Sequence, residues 1–295
     1  MNKLEIEKYN KAGKITSEVV EYAKSIVKKD VLLIELAEKI EQKIYELGGK
    51  PAFPVNLSIN EVAAHATPSY NDESKAHGLL KVDIGVHIEG FAADTAFSVD
   101  LEDNEVNKGL IESAEDALKE GLKIVKHKIE LREIGKVISE RIKSKGFMPV
   151  VNLSGHAIKE YDLHAGVNVP NYDNGDDSEL EEGVYAIEPF STNGSGKVID
   201  GRPSGIYQVV KQGNVRDNMA REVLKFIVEE YKTLPFCSRW IHKKFGGRGL
   251  LGLRFIEQAG LLHGFTQLVE ISHGIVAQAE HTIIVQGNEV IVTTK

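Results

Sequence analysis

The stretch LLKVDIGVHIEGFAADTAFSVD, residues 79–100, holds two β-rich runs on either side of Glu89-Gly90. A turn pair set between two such runs is where a chain can reverse as a tight hairpin. With those two residues at the turn, Ile88 faces Phe91 and Gly85 faces Asp94. Asp83 is two residues from Gly85, so it shares a sheet face with Asp94 as its diagonal neighbour, about 7 to 8 Å away. Two acids among apolar strand neighbours are costly to bury without a cation. The hairpin is therefore expected to clamp metal ions between its two aspartates.

Three further residues, in other strand-like segments, complete a donor set. In GVYAIEPF, Glu188 follows the apolar run from Val184 to Ile187 and precedes a proline, which puts a carboxylate at the end of a buried strand. In GIVAQAEHTIIV, Glu280 is expected in mid-strand. Successive strand side chains point to opposite faces, so His281 turns away from whatever Glu280 faces and is excluded as a ligand. His156 follows a glycine in NLSGHAI, where the small neighbour permits close backbone approach, and neutral imidazole is an ordinary ligand for Zn, Fe or Co. Four carboxylates and one imidazole (Asp83, Asp94, His156, Glu188 and Glu280) are what two divalent cations need. Co, Mn, Fe and Zn all suit that oxygen-rich set. If the five converge, the site is hydrolytic, because water between two such ions becomes a nucleophile near neutral pH.

Two segments along the chain resemble each other. Leu36, Ile40, Ile44 and Leu47 mark a helical stripe that ends at Gly48-Gly49 and runs into PAFPVNLS; Ile134, Val137, Ile138 and Ile142 precede Gly146 and FMPVVNLS. The string VNLS recurs at 55–58 and 151–154. Each copy reads as helix, glycine stop, proline-bearing turn and strand, which predicts a duplicated core with its site at a pseudo-twofold axis. Helical patterns also cover 14–28 and 105–127, and strand signals cover 79–88, 91–99, 183–188, 274–285 and 289–294. The fold class is α+β, with helices packed on an antiparallel sheet.

Residues 202–270 differ from their surroundings. They read as mostly helical around NMAREVLKFIVEEY and GLLGLRFIEQAG, with FGGRG as a break, and they lie between Glu188 and Glu280. If both glutamates serve one site, the block is an insertion into a single catalytic domain spanning 1–295. It holds eleven Lys or Arg against six Asp or Glu, a balance of +5, while the chain as a whole carries -8. That charge suggests a lobe facing ribosomal RNA through Arg239, Lys243, Lys244 and Arg248. The acidic remainder argues against a general nucleic-acid binder.

Composition bounds the rest. At 295 residues, 42% hydrophobic and 27% charged, the chain can bury a sizeable core. The charged amphipathic start carries no secretory apolar region, and no long uncharged apolar run occurs, so a cytoplasmic protein with no membrane contact is expected. A single cysteine, Cys237, reads as a buried small hydrophobe. His65 in NEVAAHATP and His164 in YDLHAGV continue the two VNLS segments and are candidates to donate hydrogen bonds to a substrate.

Taken together, GGKPAFPVNLSINEVAAH, KVDIGVHIEGFAADTA, NLSGHAI with YDLHAGV, YAIEPF, TLPFCSRW and GIVAQAEHTIIV resemble the type II methionine aminopeptidases of the archaeal kind, in order and over nearly the whole length. The resemblance implies the pita-bread fold of the creatinase and aminopeptidase group, with a helical, winged-helix-like insertion. It implies removal of the initiator methionine from nascent chains when the next residue is small. Carried over by motif, Asp83 chelates one metal, Asp94 and Glu280 bridge both, and His156 and Glu188 complete the second. Glu188 is also the implied acid/base, His65 binds the P1′ backbone and His164 polarises the carbonyl. Phe53, Leu163 and Ile206 match positions lining the methionine pocket. A monomer is expected. Two positions depart from the pattern: Ala66 replaces a tyrosine after His65, and Ala279 replaces an aromatic before Glu280. Both are expected to remove a ring close to the site.

Overall fold

The computed structural model describes residues 1–295. The first half runs α1 (Lys3–Ile26), α2 (Leu33–Glu46), β1 (Lys50–Pro51), β2 (Asn56–Ile59), β3 (Val62–Ala64), β4 (Leu79–Ile88) and β5 (Phe91–Asp100). The second runs α3 (Glu105–Ile124), α4 (Leu131–Ser144), β6 (Met148–Pro149), β7 (Ser154–Ile158), β8 (Asn168–Pro170), β9 (Gly183–Ile187) and β10 (Phe190–Thr192). Next come β11 (Val198–Val209), α5 (Asn218–Glu230), β12 (Phe236–Cys237), α6 (Ser238–Gln258) and β13 (Leu262–Glu270). The chain ends with β14 (Val276–Gln278), β15 (His281–Gln286) and β16 (Glu289–Val292).

The repeat seen in the sequence is present in the packing. Helix α2 buries Leu33, Leu36, Ala37, Ile40, Glu41 and Ile44; α4 buries Leu131, Ile134, Gly135, Ile138, Ser139 and Ile142, in the same order and spacing. These stripes satisfy the 3.6-residue period and each covers one sheet. The α2 stripe joins Leu80, Val82, Ile84 and Val86 of β4 in one apolar cluster, and the α4 stripe joins Tyr185, Ile187, Ile283 and Val285 of β9 and β15 in another. Both sheets are antiparallel: β1-β4-β2 with β5 on β4, and β16-β15-β9-β7-β8.

The two halves meet along a seam of side-chain hydrogen bonds between β5 and the β14–β15 segment. Thr282 Oγ1 donates to the Asp94 carbonyl at 2.8 Å and accepts from its N–H at 2.7 Å. Thr95 Oγ1 donates to the Glu280 carbonyl at 2.6 Å, Ser98 Oγ donates to that of Gln278 at 2.7 Å, and Glu280 N–H reaches Ala96 O at 3.0 Å. These hydroxyls replace the backbone ladder where two sheets cannot pair directly. The seam fixes the backbones of Asp94 and Glu280 side by side.

Residues 202–270 are less helical than expected. Their ends are the long strands β11 and β13, which pair with each other, and β13 also pairs with β3 of the first half. The helical part, α5 and α6, has its own apolar cluster of Val223, Ile227, Phe236, Ile241 and Ile256 among others. Alternation was hidden because β11 holds Gly201, Pro203 and Gly205, where its register against β13 shifts twice. Nor is 274–285 a single strand: it breaks at Ala279-Glu280, so Glu280 lies between β14 and β15 instead of in mid-strand.

Candidate metal centre

The hairpin register is the expected one: Ile88 is opposite Phe91, Gly85 is opposite Asp94, and the turn is Glu89-Gly90. Both turn residues have positive φ, 52° and 93°, as a two-residue turn of this hand requires. Val82, Ile84 and Val86 face the helices, which leaves Asp83 on the opposite face with Asp94. Glycine at 85 leaves room for the Phe53 ring, from which a Cβ would stand only 2.2 Å.

His156 lies in strand β7, in keeping with its strand-like segment. Gly155 before it lets β7 approach β9, since a Cβ would meet Ala186 O at 2.2 Å. Glu188 follows the last residue of β9. His156 Nε2 is 3.6 Å from Glu188 Oε1 and 3.8 Å from Asp94 Oδ2. Single donor atoms of Asp94, His156 and Glu280 all lie within 4.8 Å of one another. His281 points elsewhere, with Nδ1 2.9 Å from Thr294 Oγ1.

All ten sequence-derived candidates line one cavity of about 230 Å³: Asp83, Asp94, His156, Glu188 and Glu280 with His65, His164, Phe53, Leu163 and Ile206. The halves share it, and β11 contributes Ile206. Sequence reasoning missed other lining residues, among them Asn56, Asn152, Pro235, Phe265 and Leu268. A signal existed for the two asparagines, which hold the same position in the two VNLS copies. Ala66 and Ala279 do not line this cavity. Ala66 borders a separate cleft beside Pro68 and Arg202, and Ala279 packs in the apolar core with Ile283 and Val285.

The carboxylates are strongly perturbed. Burial pushes Asp83 up to about 7, although a hydrogen bond from Asp94 opposes the shift. Burial, with the negative charge of neighbouring carboxylates added, raises Asp94, Glu188 and Glu280 well above the usual range. Asp83 Oδ1, Asp94 Oδ1 and Glu280 Oε1 are buried with no hydrogen-bond partner. The nearest donor is the Gln278 amide, 3.3 Å from Glu188 Oε2 and 3.5 Å from Glu280 Oε2. Buried oxygens without partners, crowded on one another, fit cation ligands: positive charge satisfies the lone pairs and removes the repulsion. Burial, with His164 nearby, lowers His156 to about 3 and His65 to about 4. His164 keeps an exposed edge, yet the enclosing protein lowers its pKa too. All three imidazoles are therefore neutral near pH 7, the form that ligates metal or donates one N–H.

A cavity of crowded, unpartnered carboxylates at the junction of two matching helix-on-sheet halves fits a metal-dependent hydrolase, and the sequence profile of metallopeptidase family M24 matches residues 7–286. The chain belongs to that family and has its pita-bread fold. It is 48% identical over 297 residues to the methionine aminopeptidase of Pyrococcus abyssi, with 99% of this chain and 100% of that protein covered. Among solved structures it is similar to a thermophilic Arx1, with a TM-score of 0.83 at 12% identity, covering 99% of this chain and 91% of that one. The methionine aminopeptidase of Thermotoga maritima gives 0.72 at 22%, covering 100% and 98%. No helix is long and apolar enough to cross a membrane.

Proposed function

We propose that this chain is a methionine aminopeptidase that removes the N-terminal methionine from nascent proteins and peptides when the following residue is small. The observation that carries the reading is the set of unpartnered buried carboxylate oxygens beside an apolar recess. Asp83, Asp94, His156, Glu188 and Glu280 would hold two divalent ions, of Co, Mn, Fe or Zn. The chemistry such ions supply when bound is acidification of water and polarisation of a carbonyl.

The chain's own residues do the rest. Burial raises the pKa of Glu188, and cations held beside it would favour its carboxylate form; that carboxylate takes a proton from the attacking water and returns it to the leaving amine. Neutral His164 donates to the scissile carbonyl oxygen, where negative charge develops. His65 holds the backbone on the P1′ side. Phe53, Leu163 and Ile206 receive the methionine side chain. We also infer that 202–270 is an inserted subdomain whose β11 completes this recess.

The test is methionine release from Met-Ala and Met-Gly peptides, with X-Pro peptides as controls, under Mn, Co, Fe or Zn, repeated with Glu188→Gln. Turnover of Met peptides that Glu188→Gln abolishes is expected. Turnover of X-Pro peptides alone would overturn the substrate, and inactivity with every metal would overturn the reaction.

The ribosome reading is carried by fewer cations than the sequence suggested. Arg239 is buried, with a bidentate pair to Glu41 at 2.7 and 2.8 Å. Lys243, Lys244 and Arg248 are exposed. Replacing those three with Glu should weaken salt-dependent co-sedimentation with ribosomes, and unchanged co-sedimentation sinks the idea.

A further inference from the structure

We propose that the connection between α5 and α6 together with the start of α6, residues 231–242, is a clamp that sets the positions of His65 and His164, with Thr233 and His242 as positioning residues. The inference rests on the reading that these two histidines touch substrate. Neither histidine belongs to a strand. His65 follows β3 with a φ of 62°, and His164 sits in the loop between β7 and β8, where Tyr161 has a φ of 55°. Backbone in the left-handed region persists only where surroundings hold it.

One short piece of chain supplies that hold on both loops. On the His164 loop, Thr233 Oγ1 donates to the Tyr161 carbonyl at 2.5 Å, and the Lys232 ammonium stands 3.6 Å from the Tyr161 ring centroid. The hairpin supports the same tyrosine from another direction. Tyr161 N–H donates to Gly90 O at 2.9 Å, and a Cβ on Gly90 would come within 2.3 Å of the ring. On the His65 loop, Arg239 Nε donates to the Pro68 carbonyl at 3.1 Å. His242 stacks on Tyr70, with ring centroids 3.8 Å apart and planes 19° apart.

The clamp has a fixed base. Glu41 on α2 accepts from the two terminal Arg239 guanidinium nitrogens and from Trp240 Nε1, the latter at 2.8 Å. Between its two grips the connection also places Pro235 in the cavity wall. Histidines held on irregular loops reach a productive geometry only if those loops are fixed, and small misplacements cost rate steeply.

Arg239 is too deeply built in for a clean test, so Thr233 and His242 carry it. Metal-loaded full-length protein is assayed for kcat and KM on a Met-Ala-Ser peptide, with melting temperature and Mn(II) affinity measured alongside. His164→Ala should lower kcat/KM about 100-fold. Thr233→Val should lower it about tenfold, Thr233→Ser should restore it, and neither should move melting or Mn(II) binding. In the His164→Ala background, Thr233→Val should cost nothing further, and His242→Ala should behave the same way with His65→Ala. Wild-type rates in Thr233→Val and His242→Ala, or losses that multiply with those of the histidine variants, overturn the clamp alone. Wild-type turnover in His164→Ala and His65→Ala overturns the roles of the histidines, and the clamp with them.

Discussion

Two buried carboxylate sites in this chain have opposite surroundings. Glu270, at the base of the β11–β13 ribbon, has no solvent exposure and accepts six hydrogen bonds. They come from the backbone and hydroxyls of Ser195 and Ser272 and from the N–H groups of Gly196 and Gly274, at 2.6 to 3.1 Å. In the central cavity, Glu280 is as buried yet has one oxygen with no partner and the other within reach of a single amide. Burial alone would raise Glu270 as it raises Glu280, but its donors bring it down to about 2. The first carboxylate is a completed structural staple. The second lacks donors and fits a cation ligand, and the difference separates fold from function more sharply than burial does.

The largest expected effect comes from Glu280. Glu280→Gln keeps the shape but removes a charge that cations need, so kcat/KM should fall at least about 1,000-fold. The metal-free variant should melt no lower than the metal-free wild type, because a repelled carboxylate has gone. A clear drop in its melting temperature would mean that Glu280 serves the fold, as Glu270 does.

The reciprocal variant acts on stability. Glu270→Gln replaces an acceptor for six donors with a group that accepts at one oxygen only, and should cost about 3 kcal/mol in chemical denaturation. Turnover per folded molecule should stay near wild type. Lost turnover with unchanged stability would erase the contrast between the two sites.

Only one side of this comparison was legible in the sequence. Asp83 and Asp94 lie in strands where alternation with apolar residues fixes the facing, so register could be read from the turn outward. Glu188 and Glu280 were found because they interrupt apolar runs. Glu270 had no such setting. Its donors, Ser195, Gly196, Ser272 and Gly274, look like ordinary loop residues, and their convergence is a product of tertiary folding. The duplicated helices were legible for the same reason as the hairpin, since α2 and α4 bury one repeated stripe. The single mismatch of type in that stripe, Glu41 against Ser139, became meaningful only when Arg239 was seen to meet it. The insertion's ribbon stayed hidden behind its glycines and proline.

A smaller effect, within the site, concerns Gly85. Its ordinary strand backbone tolerates alanine, but the added Cβ would meet Phe53 at 2.2 Å and push that ring toward the recess. Gly85→Ala should cost about 1 to 3 kcal/mol in stability and raise KM for Met peptides more than it lowers kcat. Equal losses in both would point to a shifted Asp94, its cross-strand partner, instead of a smaller pocket.

The gentlest test is stability against pH in the chelated protein, where the two sites pull in opposite directions. Glu270 titrates at about 2 in the folded chain against an ordinary 4.5. Its stabilising contribution is therefore complete above about 4.5 and fades as pH falls toward 2. Asp83 behaves in reverse, with a folded value of about 7 against 3.8. Between those values the folded chain binds the extra proton, so stability declines as pH rises from about 4 to about 7. Asp83→Asn should lessen the decline on that side, the remainder coming from the raised Asp94, Glu188 and Glu280, and leave the acid side alone; Glu270→Gln should soften only the acid side. Saturating Mn(II) should remove the decline toward neutrality, because bound cations favour the ionised carboxylates that folding otherwise disfavours. A decline that survives saturating Mn(II) would place its origin outside the cavity.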